Sequence, residues 1–197
     1  MPTQFNSYID HIDTGFWRHL CESRGELRHF EKGAEFITAG ETGHYIGYVK
    51  SGALKYVCYS TDGTPHVVGL EFAGHFVCDF PESLYREKSR CSIIATVPCE
   101  IYCVPTAEVV KLMESDAAAR EVIAATTRAV FSTLYDRFTD LYSKSPQERY
   151  DDLISHDPNL LRLFSLKDIA SLLNITPTHL SRLRKKKRPV SSSFNKC

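Results

Sequence analysis

No glycine follows Gly74 in this chain of 197 residues, and that asymmetry constrains the fold more than any other feature. Glycine supplies the positive φ that tight turns need. Up to that point Gly33, Gly40, Gly52, Gly63 and Gly74 recur at roughly ten-residue spacing between short segments rich in β-branched and aromatic residues, the pattern of an antiparallel barrel or sandwich. The run 91–104 adds two further strands broken at Pro98, and residues 13–23 suit a short helix. From about Thr106 the apolar period changes to three or four, opening with Val109, Val110, Leu112 and Met113. Ile123, Thr127, Val130, Leu134, Phe138 and Leu141 then form a seam along one long helix, which predicts a homodimer in which the seam meets its own copy across a two-fold axis. The segment from Ser143 to Pro146 ends that helix, because proline disfavours helical geometry in the residue before it. Residues 147–187 read as three more helices. The fold class is therefore α+β, with an N-terminal antiparallel β-roll sensor over 1–115, a dimerisation helix and hinge over 116–145, and a helical domain with a short basic tail over 146–197.

The distribution of charge says what the last domain meets. Up to Asp168 there are 17 basic residues against 24 acidic ones, and beyond it seven basic residues and no acidic one. A body of net −7 with a terminal region of +7 is arranged to present that end to a polyanion. The local pattern agrees. Ser165 and Asp168 form a capping-box signature that starts one helix, with Ile169, Leu172 and Leu173 facing inward and the small Ala170 allowing close approach. Asn174 stands at the turn, where a residue tolerant of positive φ is wanted. Thr176 is an N-cap and Pro177 the first helical residue of a second helix whose buried side is Leu180 and Leu183. Two helices so joined make a helix-turn-helix.

The second helix has the composition of a reader of double-stranded DNA. Thr176, Thr178, His179, Ser181, Arg182 and Lys185 fall on its exposed side or at its N-terminus. Arg182 can make a bidentate contact to guanine, and Thr178, His179 and Ser181 can donate or accept at base edges. Arg184, Lys185 and Lys186, in the basic run ending at Arg188, suit phosphates.

No apolar run approaches the ~20 residues needed to span a bilayer, and the N-terminus lacks the basic start and apolar core of a signal peptide. A cytoplasmic protein without a membrane partner is expected. The seven cysteines are odd in number and irregularly spaced, which points to free packed thiols rather than a disulfide framework or metal site. Cys99 and Cys103 share a strand face with Ile101.

The order β-roll, long helix, helix-turn-helix resembles the CRP/FNR family of bacterial regulators. The resemblance is carried by Phe30, Gly33, Gly40, Glu41, Ile46, Val49, Lys50, Gly52, Asp62, Gly63 and Gly74, then by Pro146, Arg149, Tyr150, Ile169, Ala170, Leu180, Ser181 and Arg182. It implies a sensor that couples a small effector to DNA binding, Arg182 as the guanine reader, and RNA polymerase as a partner. Pro177 and Thr178 occupy two other reading positions where the family often carries Arg or Gln and Glu, so a different operator is expected.

In the effector pocket the chain departs from that family. Cyclic-nucleotide binders hold the phosphate with a Gly-Glu pair and an arginine, whereas the matching stretch here has Cys78 and Asp79, with Ser89 at the arginine position and Arg90 one residue late. A one-residue offset in a strand sends the side chain to the opposite face. Leu134 and Tyr135 stand where the cyclic-AMP responder of the family offers hydroxyls to the base. Cyclic AMP is not expected to bind, no cofactor is expected, and another small effector is left open beside the alternative of a cyclic-nucleotide-responsive regulator. A cupin-like metal enzyme would need a His-x-His pair, and His44, His66 and His75 are scattered. No catalytic or metal site is expected. The tail 189–197 is short and polar and is expected to lack structure.

Overall fold

The computed structural model describes residues 6–156 and 159–187; the expected tail, with Arg188, lies outside them. A short 3-10 helix, Ser7–His11, and α1, Thr14–Arg24, precede eight strands. These are β1 Glu26–Phe30, β2 Glu35–Ile37, β3 Tyr45–Ser51, β4 Ala53–Tyr59, β5 Pro65–Phe72, β6 Phe76–Val77, β7 Ser92–Ala95 and β8 Cys99–Pro105, with the one-turn α2, Glu82–Tyr85, between β6 and β7. They pair antiparallel in two four-stranded sheets, ordered β1-β8-β3-β6 and β2-β7-β4-β5. Inward-facing Ile37, Val49, Leu54, Val77, Ile93 and Ile101 fill the space between them. Cys99, Ile101 and Cys103 alternate inward along β8 as their spacing requires. All five turn glycines take positive φ. At Gly52 a side chain is excluded twice over, since a Cβ would also sit 2.6 Å from the Pro98 carbonyl oxygen.

The helices follow as α3 Thr106–Ser115, α4 Ala117–Ser143, α5 Pro146–His156, α6 Leu160–Leu163, α7 Leu166–Leu172 and α8 Pro177–Lys187. The terminal domain thus holds four helices where three were expected, the extra one being the single turn of α6. Asp116 separates α3 from α4 and caps the latter, accepting from the backbone N–H groups of Ala118 and Ala119.

The long helix corrects the expected seam. Its buried face is Ala119, Ile123, Thr126, Ala129 and Thr133, so Ile123 packs into the roll's own core beside Trp17 and Val109 rather than toward a second chain. Thr127 and Val130 are half-buried on the flank. Leu134, Phe138 and Leu141 are exposed, and Phe131, Tyr135 and Tyr142 widen them into an apolar stripe. The expected seam merged two faces because alanine and threonine do not register as apolar, yet their small size is what lets α4 lie close to the roll. Trp17 bonds Thr126 Oγ1 through its indole N–H (2.9 Å) and stacks on Phe76.

On the opposite sheet, Ala53, Val57, Val67 and Leu70 share a core with Tyr150, Leu153, Leu160, Phe164, Ile169 and Ala170. The terminal domain therefore docks on β4 and β5. Lys55 Nζ lies 2.6 Å from Asp168 Oδ1, the Val67 N–H donates to Ser171 Oγ, and Phe72 meets Phe164 edge to face.

Candidate nucleic-acid interface and sensor cavity

The capping box forms as expected. Ser165 Oγ accepts from the Asp168 N–H while the Asp168 carboxylate accepts from the Ser165 N–H. Burial by itself would raise the Asp168 carboxyl, but its bonds to Lys55 and Ser165 outweigh that and hold it below its ordinary value. Asn174 takes φ +53, the left-handed conformation that turns the chain between α7 and α8. Thr176 Oγ1 then accepts from the His179 N–H at 3.1 Å and caps α8.

Leu180 and Leu183 hold α8 against Ile169, Ala170 and Leu173. That fixes which residues face out: Thr176, Pro177, Thr178, His179, Ser181, Arg182 and Lys185 are exposed and Arg184 is half-buried. Lys186 and Lys187 belong to α8, and their side chains lie outside the described residues. The outward row carries two guanidinium or ammonium groups, three hydroxyls and an imidazole beside a helix N-terminus, a set able to bond phosphates and base edges. Docking of the domain on β4 and β5 leaves this row open. Arg149 explains its place in the family pattern, for its guanidinium donates to the carbonyls of Lys144 (2.6 Å) and Leu173 (3.1 Å) and ties the end of α4 to the turn before α8.

An open cavity of about 190 Å3 lies between the roll and α4. Of the residues expected there, Cys78, Asp79 and Leu134 line it. Ser89 is buried behind Asp79, its Oγ 2.5 Å from Asp79 Oδ2. Arg90 points away, its side chain 88% exposed, as its one-residue offset predicts, and so leaves the set of pocket residues; Tyr135 is a correction, standing in the outer stripe of α4. Arg90 follows the buried Ser89 in extended chain and so turns outward, whereas Tyr135 lies on the exposed face of α4 beside Phe131 and Leu134.

The sequence reading missed Tyr8, Tyr56, Glu71, Thr133 and Arg137, which also line the cavity. Glu71 is buried and accepts from Asn6 Nδ2 (2.7 Å), Tyr8 Oη (2.9 Å) and His75 Nδ1 (2.6 Å). Arg137 donates to Asn6 Oδ1. Burial pulls the Arg137 guanidinium down to about 10, with the negative charge of Glu71 opposing that fall. The Tyr8 and Tyr56 phenols are pushed well up, chiefly by burial. Arg137 lies one turn after Thr133 on α4, a helical spacing that marks it as inward-facing once Thr133 is known to be. Glu71 and Tyr8 gave no such signal, since their meeting depends on the N-terminal segment folding back over β5.

A second cleft, of about 430 Å3, opens between β5, α4 and the terminal domain. Val68, Thr133, Leu134 and Arg137 line both spaces. Among the described residues no group of three or more His, Cys, Asp or Glu side chains could hold a metal ion, and no helix is long and apolar enough to cross a membrane.

Comparison with known proteins gives the roll its relatives. Residues 27–116 match the family model described as the Cyclic nucleotide-binding domain. No curated protein matches the chain. Among solved structures, FixK2 from Bradyrhizobium japonicum aligns with a TM-score of 0.70 at 17% identity over 82% of this chain and 83% of its own. A protein assigned to the CRP/FNR family of transcriptional regulators, from Eubacterium rectale, aligns with a TM-score of 0.70 at 15% identity over 92% and 86%. CLP from Xanthomonas campestris, a c-di-GMP responsive global regulator, gives 0.62 at 16% identity over 88% and 91%. The β-roll, the long helix and the terminal helices therefore share one known fold.

Proposed function

We infer that this chain, with a cyclic nucleotide-binding domain on the fold of the CRP/FNR regulators, belongs to that family and works as a homodimeric, sequence-specific DNA-binding transcriptional regulator. The observation that carries the inference is the exposed row on α8: Thr178, His179, Ser181, Arg182 and Lys185 stand outward together because Leu180 and Leu183 are anchored. Arg182 reads a guanine; Arg184, Lys185 and Lys186 meet phosphates. The exposed stripe Leu134, Phe138 and Leu141 takes a second copy of the chain, which sets two α8 helices at the spacing of a two-fold operator. The protein works in the cytoplasm, with RNA polymerase as the partner that its family suggests, and has no catalytic role.

An effector would act through α4. Val68, Thr133, Leu134 and Arg137 touch both the roll cavity and the cleft beneath the reader domain, so occupancy of the first changes the walls of the second. Cyclic AMP is not that effector, because Arg90 stands in solvent and the cassette puts the carboxylate of Asp79 into the cavity lining, which repels a phosphate.

Fluorescence anisotropy with duplex DNA across a salt series tests this function. A dimer presenting two basic ends should give a log–log slope steeper than about −2, and a shallower slope, or monomers in sedimentation at the concentrations used, would contradict it.

A further inference from the structure

The roll cavity has a charge and a surface that select a ligand class. Its charged lining residues are Glu71, Asp79 and Arg137, and burial keeps the lining Tyr8, Tyr56, Cys78 and Cys91 protonated and neutral. Glu71 is matched on the spot: Asn6, Tyr8 and His75 donate to it, and Arg137 in the same lining carries the opposite charge. Asp79 is matched only in part. Its Oδ2 accepts from Ser89 Oγ and from the Arg90 N–H at 3.2 Å, while Oδ1 carries no bond among the described residues. The net charge of the lining is thus −1, and the uncompensated carboxylate stands at the cassette end of the cavity.

The walls beside that carboxylate are aromatic. Phe76 meets Tyr8 at 5.3 Å and Phe80 at 6.1 Å between ring centroids, both edge to face, which makes one continuous wall. Tyr56 adds a fourth ring, its hydroxyl donating to the Cys78 carbonyl. Leu70, Val130 and Leu134 complete an apolar lining. Aromatic faces attract cations and repel anions, and a carboxylate in such surroundings is a strong partner for an ammonium group. At about 190 Å3 the space is below the ~300 Å3 at which ordinary drug-sized pockets begin, so the ligand is small.

We propose that the roll cavity binds a small organic cation, an aromatic amine with its ammonium group on Asp79 and its ring among Tyr8, Tyr56, Phe76 and Phe80. The assignment rests on the reading of the roll as the sensor, and it reverses the charge of the ligand that such a cassette would take with an arginine at position 89. An anion entering the same space meets Asp79 at the cassette end, where Arg90 lies in solvent, while Arg137 already donates to Asn6.

Calorimetric titration of the full chain with 2-phenylethylammonium, 2-phenylethanol, phenylacetate and cyclic AMP at neutral pH decides it. The amine should bind at least ~10-fold more tightly than the alcohol and more tightly still than phenylacetate. Asp79→Asn, which keeps the Ser89 contact and the shape of the site, should erase the preference of amine over alcohol. Tighter binding of phenylacetate or cyclic AMP than of the amine overturns the proposal, as does no heat with the amine at millimolar concentration. If Asp79→Asn does not fold, the order of the four ligands on the unmodified chain still discriminates a cation site from an anion site. DNA affinity of the same preparation without amine separates failure of the ligand assignment from failure of the regulator itself.

Discussion

The dipeptide Ser-Arg occurs at residues 23–24, 89–90 and 181–182, and the last two copies behave in opposite ways. On α8 both side chains of Ser181 and Arg182 are exposed. Ahead of β7, Ser89 is buried while Arg90 stands in solvent. Consecutive residues on a helix are about 100° apart and can share the outward half of the surface, whereas in extended chain they point to opposite sides. The same two amino acids therefore make a candidate reading surface in one place and divide between core and solvent in the other. An arginine one position earlier in the roll would have pointed inward with Ser89 rather than into solvent.

The contrast can be broken most severely by removing what fixes the direction of Ser181 and Arg182. Leu180 is 1% exposed, and Leu180→Ala should cost ~2–5 kcal/mol in urea unfolding, with DNA affinity falling alongside as α8 loses its seat. Retention of full stability would mean that α8 is held by other contacts. Next in size, Arg182→Ala should cost ~1–3 kcal/mol per half-site on the specific operator while leaving the unfolding midpoint where it was. Equal loss on random duplex would make Arg182 a phosphate contact.

Smaller effects belong to the sensor copy. Ser89→Ala removes the hydroxyl 2.5 Å from Asp79 and 2.6 Å from the Cys91 carbonyl and should lower stability by ~1 kcal/mol, read by thermal unfolding. No change would show that Asp79 finds another donor. Arg90→Ala should be the mildest, within ~0.5 kcal/mol and without effect on the amine titration, since its ion pair with Glu82 is long at 3.8 Å and its side chain is exposed. A clear loss of ligand affinity there would return Arg90 to the cavity.

Local rules make much of this legible in the sequence itself. The turn glycines, the Ser165 and Asp168 cap, the left-handed Asn174 and the buried pair Leu180 and Leu183 each depend on neighbours within a few residues, which is the range over which propensity and periodicity act. The outward direction of Arg90 followed from counting along an extended strand. The same counting failed on α4, where two faces overlapped and Ile123 was assigned to the wrong one.

What the sequence by itself determined is the set of elements, their directions along the chain and the residues that each presents on its two sides. Only the tertiary structure decided which sides meet. The cavity joins Tyr8 from the N-terminal segment, Tyr56 from β4, Glu71 from β5 and Arg137 from α4, and the terminal domain is docked by Lys55 and Asp168 across 113 positions. Such contacts carry no periodic signal, because each is fixed by the packing of whole layers and by the need to match buried charge, not by spacing along the chain.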